Sequence, residues 1–238
     1  MVPPASSRTA SRKAAKAEAG PALSREAVVD RALDVADHEG LAAVSIRRIA
    51  QDFDVTPMAL YWHVKNKDEL LAAMGDRVID AMSVPDLPTE GGLERLRPLL
   101  HQLVDALARR PGSTELVQYR ILQCARGQLL AEQALTVLAE AGFDQQRRAE
   151  LARAALQSAV MLVVGAPGAE ISVPAPERQA MREGKRAALA ALPGDRFPQL
   201  VQCATAMFEC DDPEAYYTGG IDLFLAGVAT LAARLPAH

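Results

Sequence analysis

Cysteine is scarce in this 238-residue chain, which contains only Cys124, Cys203 and Cys210. An odd number of cysteines without CxxC spacing argues against a disulfide framework or a zinc site. Cys203 and Cys210 are seven residues apart and would share one helix face. We interpret them as two buried thiols that act as small hydrophobes, and the alternative is a redox switch.

Long hydrophobic runs and catalytic motifs are also missing. The longest stretch without a charged or strongly polar side chain is about 159–169, well short of the roughly 20 residues that a membrane span needs. The N-terminus has no apolar segment of the kind a secretory signal requires, so we expect a cytoplasmic protein. GxSxG, P-loop and GxGxxG motifs are absent, and so are metal-spaced Cys/His clusters, which argues against an enzyme.

Strand patterns are missing as well, because β-branched runs are short and no alternation of period two persists. The sequence therefore predicts an all-α fold with about ten or eleven helices. Prolines and paired glycines in 83–92 mark a boundary between two parts of the chain. Helices rich in Ala and Leu are predicted beyond it at about 93–109, 114–124, 127–141, 144–165, 177–191, 197–209 and 213–234. Pro98 either starts or kinks the first of these.

The stretch 45–67 reads as two short helices joined by a tight turn. Ile49 and Phe53 give the first helix an apolar edge, and Leu60 and Val64 do the same for the second. A supporting helix from Ser24 to about residue 39, ended by Gly40, is predicted before this pair. A fourth helix follows it, with Asn66 and Glu69 in a capping-box pattern.

The second helix of the pair has a defined start and an unusual outer face. Thr56 suits the N-cap, since its hydroxyl can accept a first-turn N–H, and Pro57 suits the first helical position. With Leu60 and Val64 inward, Met58 and Trp62 face outward. A tyrosine hydroxyl and an imidazole can donate to phosphate oxygens, and a lysine stands just past the helix end. Pro57, Ala59, Tyr61, His63 and Lys67 complete a face that suits a DNA major groove.

The run Leu60-Tyr61-Trp62-His63-Val64-Lys65-Asn66-Lys67 resembles the recognition-helix end of the tetracycline-repressor (TetR) family. The resemblance covers about 24–82 well and the remainder through its helical layout. It implies that Arg47 and residues 57–59 and 61 touch base edges or adjacent backbone, while hydroxyl, imidazole and ammonium groups hold phosphates. The candidate DNA-binding residues are Ser45, Arg47, Thr56, Pro57, Met58, Ala59, Tyr61, Trp62, His63 and Lys67.

The three helices predicted within 24–64 are here called the reading head. Two features of the reading head depart from the family pattern. Pro57, Met58 and Ala59 offer no side-chain hydrogen bond, so base discrimination would depend on Arg47 and on apolar contact with thymine methyl groups. Asp54 stands at a turn position where the family usually has glycine. We expect a positive φ there, which Asp tolerates less well than Gly, and hence a modest local strain.

Residues 1–20 are rich in Ala, Ser, Arg and Lys without apolar periodicity, so we expect a disordered basic arm (1–20). The family resemblance implies a three-helix DNA-binding domain (21–82, motif about 45–64) and a tetracycline-repressor-like C-terminal domain (93–238) for effector binding and dimerisation. The arm either reaches an adjacent groove or is a solvated tail. Nearly all-round apolar character in about 144–165 and 213–234 predicts a homodimer through these helices, with ordinary core helices as the alternative.

In this family, a ligand that favours a wrongly spaced dimer would release a palindromic operator. Alternative functions are an all-helical enzyme or carrier, and a DNA-binding protein that ignores ligands or responds through Cys203 and Cys210. No cofactor is predicted. No metal is predicted either, because the four histidines are far apart in sequence. Candidate ligand-binding residues are His101, Gln118, Tyr119, Gln123, Gln157 and Met161.

Overall fold

The computed structural model describes residues 23–170 and 173–236. The predicted basic arm, residues 1–20, lies outside the described residues. Within the described ranges the chain forms helices and no strands, as the all-α prediction required. The helices are α1 (Arg25–Glu39), α2 (Ile46–Asp52), α3 (Pro57–Leu60), α4 (Lys67–Asp80), α5 (Leu96–Arg109), α6 (Thr114–Arg120), α7 (Ala125–Glu140), α8 (Gln145–Val164), α9 (Ala175–Ala190), α10 (Pro198–Cys203) and α11 (Pro213–Ala232). Short 3-10 turns occur at Leu41–Ala43, Gly92–Arg95, Pro111–Ser113 and Ile121–Gln123. None of these helices is both long and apolar enough to cross a bilayer.

Local signals set the ends of the first helix. The hydroxyl of Ser24 accepts a hydrogen bond from the backbone N–H of Ala27 at 3.1 Å, and this satisfies a first-turn donor. Gly40 ends α1 at φ 88°, a conformation that only glycine adopts without strain. Both predicted caps of α1 are confirmed.

The turn between α2 and α3 contains the predicted strained residue and one wrong prediction. Asp54 has φ 52°, in the left-handed region. Thr56 occupies the N-cap position and Pro57 the first position of α3, both as predicted, but the Thr56 side chain does not make the expected capping hydrogen bond. The backbone carbonyl of Thr56 instead accepts the N–H of Ala59 at 2.9 Å. The helix has only four residues, and this backbone turn already closes its start.

Helix α4 is tied to its surroundings at both ends. The Asn66 side chain accepts from the N–H of Glu69 at 2.8 Å, as predicted. The return bond of the capping box goes one residue further back, because a Glu69 carboxylate oxygen accepts from the N–H of Lys65 at 2.8 Å. Near the other end, Arg77 forms a two-pronged ion pair with Asp30 of α1 at 2.9 and 3.1 Å. Two hydrogen bonds between charged groups therefore attach α4 to α1.

In the C-terminal part, some helix ends differ from the sequence prediction. Pro98 lies in the first turn of α5, where an N–H has no intrahelical partner, so it helps to start the helix and does not kink it. Helix α10 stops at Cys203, well before the predicted end near residue 209.

The early end of α10 also overturns the prediction of two buried thiols on one helix face. The segment that follows α10 is a series of turns, so the seven-residue spacing does not follow a helix. Cys203 is exposed and Cys210 is half-buried.

One hydrophobic core runs from α1 to α11. Its largest fully buried side chains include Leu33, Ile49 and Leu60 near the turn, and Leu107, Leu138 and Ile221 in the C-terminal part. Helices α9 and α10 contribute no buried residue within the described ranges. The core thus continues from the reading head into the C-terminal helices without a break.

Candidate nucleic-acid interface and ligand cavity

The inner edges of α2 and α3 are buried against the rest of the head. Ile49, Leu60 and Val64 are all 0% exposed, as their spacing predicted. The carbonyl of Leu60 accepts from the N–H groups of both His63 and Val64 at 2.9 Å. These two bonds continue the turn of the backbone beyond the end of α3 as far as Val64. This anchoring leaves the opposite face of residues 57–63 on the outside.

The predicted outward residues lie on that open face. Trp62 is 87% exposed, Met58 69% and Tyr61 47%. A large aromatic side chain that remains this exposed in a monomer indicates a contact surface. Thr56, Pro57 and Lys67 are also exposed, and Ser45, Ala59 and His63 are half-buried. None of the ten predicted DNA-binding residues is therefore buried.

The two adjacent arginines of α2 have different surroundings. Arg48 pairs with Glu39 at 2.6 Å and with Asp52, and hydrogen bonds to these two carboxylates raise the pKa of Arg48. The bond from Arg48 also lowers the pKa of Glu39. Arg47 is exposed and has no ion-pair partner among the residues that the structure describes. Arg48 therefore holds α2 to α1, while Arg47 is available to an outside anion or base.

Ser45 has a structural bond that leaves part of its hydroxyl free. Its oxygen accepts from the N–H of Arg48 at 3.1 Å and caps α2. A hydroxyl that accepts one bond still has its own hydrogen to donate. The same side chain can therefore cap the helix and donate to a phosphate oxygen.

A cavity of about 620 Å³ lies among α5, α6, α7, α8 and α11. Four of the six predicted ligand residues line it: Gln118, Tyr119, Gln123 and Gln157. His101 and Met161 are not in its lining, and Met161 is 63% exposed on α8.

Sequence reasoning missed Arg153 and Phe224, which also line the cavity. Arg153 precedes Gln157 by one helical turn, so a helical-face argument could have included it. The sequence contains no comparable signal for Phe224, because it lies on α11, far along the chain from the other lining helices.

The cavity wall is connected directly to α4. Arg120 forms two parallel bonds to Asp76 of α4, both at 2.9 Å, and a third to the side-chain oxygen of Gln123 at 2.5 Å. Gln123 in turn donates to the carbonyl of Tyr119 at 3.1 Å. A Cβ at Gly75 would lie only 2.8 Å from Cγ of Arg120, so α6 and α4 are in close contact. Hence the cavity residue Gln123 contacts the ion pair directly, and Tyr119 is linked to it through Gln123.

A second connection joins α1 to the turn before α6. Arg110 contacts Asp34 at 2.6 Å and Asp37 at 3.1 Å. Burial raises the pKa of Asp37, although the N–H of Gly112, at 2.9 Å, and Arg110 oppose the increase. A Cβ at Gly112 would lie 2.2 Å from the carbonyl oxygen of Ala36. Only glycine fits there without a shift of α1.

Helices α8 and α11 carry large apolar side chains that are exposed to solvent. Leu223 is 78% exposed and Val164 44%. Gly219 and Gly227 flank Leu223 at helical spacing on α11, and a Cβ at either would meet nothing within 4 Å. Small residues beside an exposed leucine leave room for another helix to approach closely.

A helix-turn-helix with an open outer face, placed on an all-helical body with an apolar cavity, is the architecture of a DNA-binding regulator. The family model for bacterial regulatory proteins of the tetR family matches residues 28–74. The model for the tetracyclin repressor-like C-terminal domain matches residues 84–232, more than half of the chain. The chain therefore belongs to the tetR family.

Individual relatives agree with this assignment. The chain is 36% identical over 69 residues to the class D tetracycline repressor of Escherichia coli, which is 29% of this chain and 32% of that protein. The chain thus spans about a third of the length of that curated relative. An HTH-type transcriptional regulator of Saccharopolyspora erythraea is 28% identical over 218 residues, or 89% of this chain and 87% of that protein. The crystal structure of Streptomyces coelicolor ActR in complex with actinorhodin shares the fold, with a TM-score of 0.66, 23% identity and coverage of 90% of this chain and 100% of that one.

Proposed function

We propose that this chain is a homodimeric transcriptional repressor that binds a palindromic operator and releases it when a small hydrophobic molecule occupies the cavity. The observation that carries the proposal is the open face of the reading head, where Arg47, Tyr61, Trp62 and Lys67 are exposed above a fully buried inner edge. Arg47 would read base edges, and the hydroxyl, imidazole and ammonium groups would hold phosphates.

Two fold relatives support the two kinds of partner. ActR was crystallised with actinorhodin, and BioQ, with a TM-score of 0.55, was crystallised with its natural double-stranded DNA operator. For this chain we infer operator DNA and a small molecule as partners, and a role in the cytoplasm without enzymatic activity.

The exposed apolar stripe on α8 and α11 supports the homodimer. Leu223, Met161 and Val164 are large apolar side chains that a monomer leaves in water. A second copy would cover them in an isologous contact, since the same patch would serve both subunits. The dimer would then hold two reading heads at a fixed separation, which sets the spacing of the two half-sites.

The Asp76–Arg120–Gln123 contacts supply the route from the cavity to DNA. A molecule that displaces Gln123 or Tyr119 from their mutual bond would move Arg120, and Arg120 holds α4 through two bonds. Because α4 is also paired to α1 through Arg77 and Asp30, a shift of α4 reorients the head. A ligand releases DNA only to the extent that it binds the shifted state more tightly.

The proposal is tested by selecting bound duplexes from a random-sequence pool with the full chain. We expect a two-fold symmetric site whose half-sites lie about 34–36 Å apart, or one DNA turn. The double variant Arg47→Ala, Lys67→Ala should select nothing, and the matched charge control Arg109→Ala, Lys185→Ala should select the same site. Failure of the wild type to enrich any sequence, or equal enrichment by the double variant, would refute the proposal.

Ligand response is tested separately with a panel of hydrophobic compounds. A true effector should both raise the melting temperature and weaken operator binding, since it binds the folded state and prefers the form that does not bind DNA. Ala134→Trp, which places a large side chain in the cavity wall, should abolish both effects. A compound that releases DNA equally from this variant would act outside the cavity and contradict the proposal.

A further inference from the structure

The cavity lining contains a single formal charge. Among the described residues that line it, Arg153 is the only charged one, and the remainder are apolar or the neutral Gln118, Tyr119, Gln123 and Gln157. Arg153 is exposed, so water screens part of its charge, but a lone cation beside apolar walls gives the site a preference for an anion. The described lining residues include no carboxylate that would offset that preference.

The charge of Arg153 is not neutralised by a neighbour. Within the described ranges, Arg153 takes part in no ion pair. The acid one turn before it on α8, Glu150, is paired with Arg147 at 3.0 Å and also accepts from Gln146 at 3.0 Å. A guanidinium in this position presents several N–H donors to an incoming acid group.

Arg153 and Gln157 lie one turn apart on α8, and both are exposed, so they form part of the cavity rim. The opposite and deeper walls are apolar, with Leu100, Leu138 and Phe224 among them. A ligand that contacts both the apolar walls and the polar rim therefore needs a hydrophobic body and an acidic group at one end.

We infer that the effector is an amphipathic organic anion, with a hydrophobic body inside the cavity and a carboxylate, sulfonate or phenolate held at the rim by Arg153 and Gln157. This inference rests on the proposed function, because it assigns the chemical class of the molecule that occupies the same cavity. The acid group contributes selectivity, and the apolar walls contribute most of the buried area.

A matched pair of fluorescent probes tests the inference without knowledge of the natural effector. 8-Anilinonaphthalene-1-sulfonate carries the acid group, and N-phenyl-1-naphthylamine has the same rings without it. For Arg153→Gln we expect the affinity for the sulfonate to fall by about three- to tenfold, the range of a partly exposed charged hydrogen bond. Affinity for the neutral amine should stay at the wild-type value. Added salt should weaken only the sulfonate.

Three further variants locate the binding event. Arg109→Gln removes another exposed arginine, which lies outside the cavity lining, and should change neither affinity. Ala134→Trp and Ala152→Phe each place a larger side chain in the cavity wall, and either variant that folds by circular dichroism should weaken both probes. If Arg153→Gln leaves the sulfonate at wild-type affinity, or weakens both probes equally, the inference is wrong. Probe binding that survives both folded cavity variants would also overturn it.

Operator binding by the same variants keeps the two proposals apart. If the wild type binds no operator, the proposed function is refuted, but the comparison of the two probes still tests whether the cavity prefers an anion. Normal operator binding together with no effect of Arg153→Gln on the sulfonate would refute only the assignment of an anionic ligand.

Discussion

Lys67 offers a quantitative test of how the head meets DNA. It is the first residue of α4, it is exposed, and it has no ion pair within the described residues. Each cation that neutralises a phosphate adds about 0.9 to the slope of log affinity against log salt. A homodimer carries the residue twice, so Lys67→Ala should make that slope shallower by about 1.8. Over a fourfold rise in salt, from about 50 to about 200 mM, the variant should lose roughly 12-fold less affinity than the wild type does.

The measurement is fluorescence anisotropy with a labelled operator duplex across a salt series. Lys185→Ala, an exposed lysine on α9, controls for the loss of one positive charge per subunit and should leave the slope unchanged. Lys67→Ala should unfold at nearly the same denaturant concentration as the wild type, because the side chain contributes no ion pair. An unchanged slope would refute the phosphate contact, and a change of about 0.9 would refute its duplication in a dimer.

Four other substitutions test separate parts of the structure. Arg47→Ala should relax the preference for particular base pairs and weaken the free energy of operator binding by about 1–3 kcal/mol per site. Arg48→Ala should instead lower the free energy of unfolding, by less than about 2 kcal/mol, since the ion pairs of Arg48 are partly exposed. Binding to a panel of altered operators and urea denaturation distinguish the two; similar operator profiles would contradict the assignment. Asp76→Asn should preserve operator affinity without effector but weaken effector-driven release several-fold in an anisotropy competition, and full release would exclude this route. Leu223→Lys should give a monomer mass by light scattering, and a persisting dimer would place the interface elsewhere.

Sequence reasoning succeeded where the determinants are local. Ser24, Gly40 and Asn66 fix helix ends through bonds to residues within four positions, and the left-handed φ of Asp54 follows from one turn. The open face around Trp62 follows from helical spacing once the inner edge is known. These features need no knowledge of how distant segments pack.

Sequence reasoning failed where the outcome depends on contacts far along the chain. The spacing of Cys203 and Cys210 suggested a shared helix face, yet α10 ends at Cys203, and no local signal marks that end clearly. His101 and Met161 have suitable side chains but lie away from the cavity wall. Arg153 was missed although it lies one helical turn from Gln157, because exposed arginines are usually solvated and the packing of five helices is needed to show a cavity beside it.

Gly112 is a position that is sensitive to substitution, although it lies outside both the candidate DNA-binding face and the cavity lining. One additional carbon atom there would act as a wedge beneath the last turn of α1, since the nearest backbone oxygen would be only 2.2 Å away. In an unbiased screen for loss of the proposed repression, Gly112→Ala should emerge as a variant that alters neither the proposed operator-contacting residues nor the proposed effector-binding residues. Its purified product would retain every recognition group and yet present the two heads at the wrong angle.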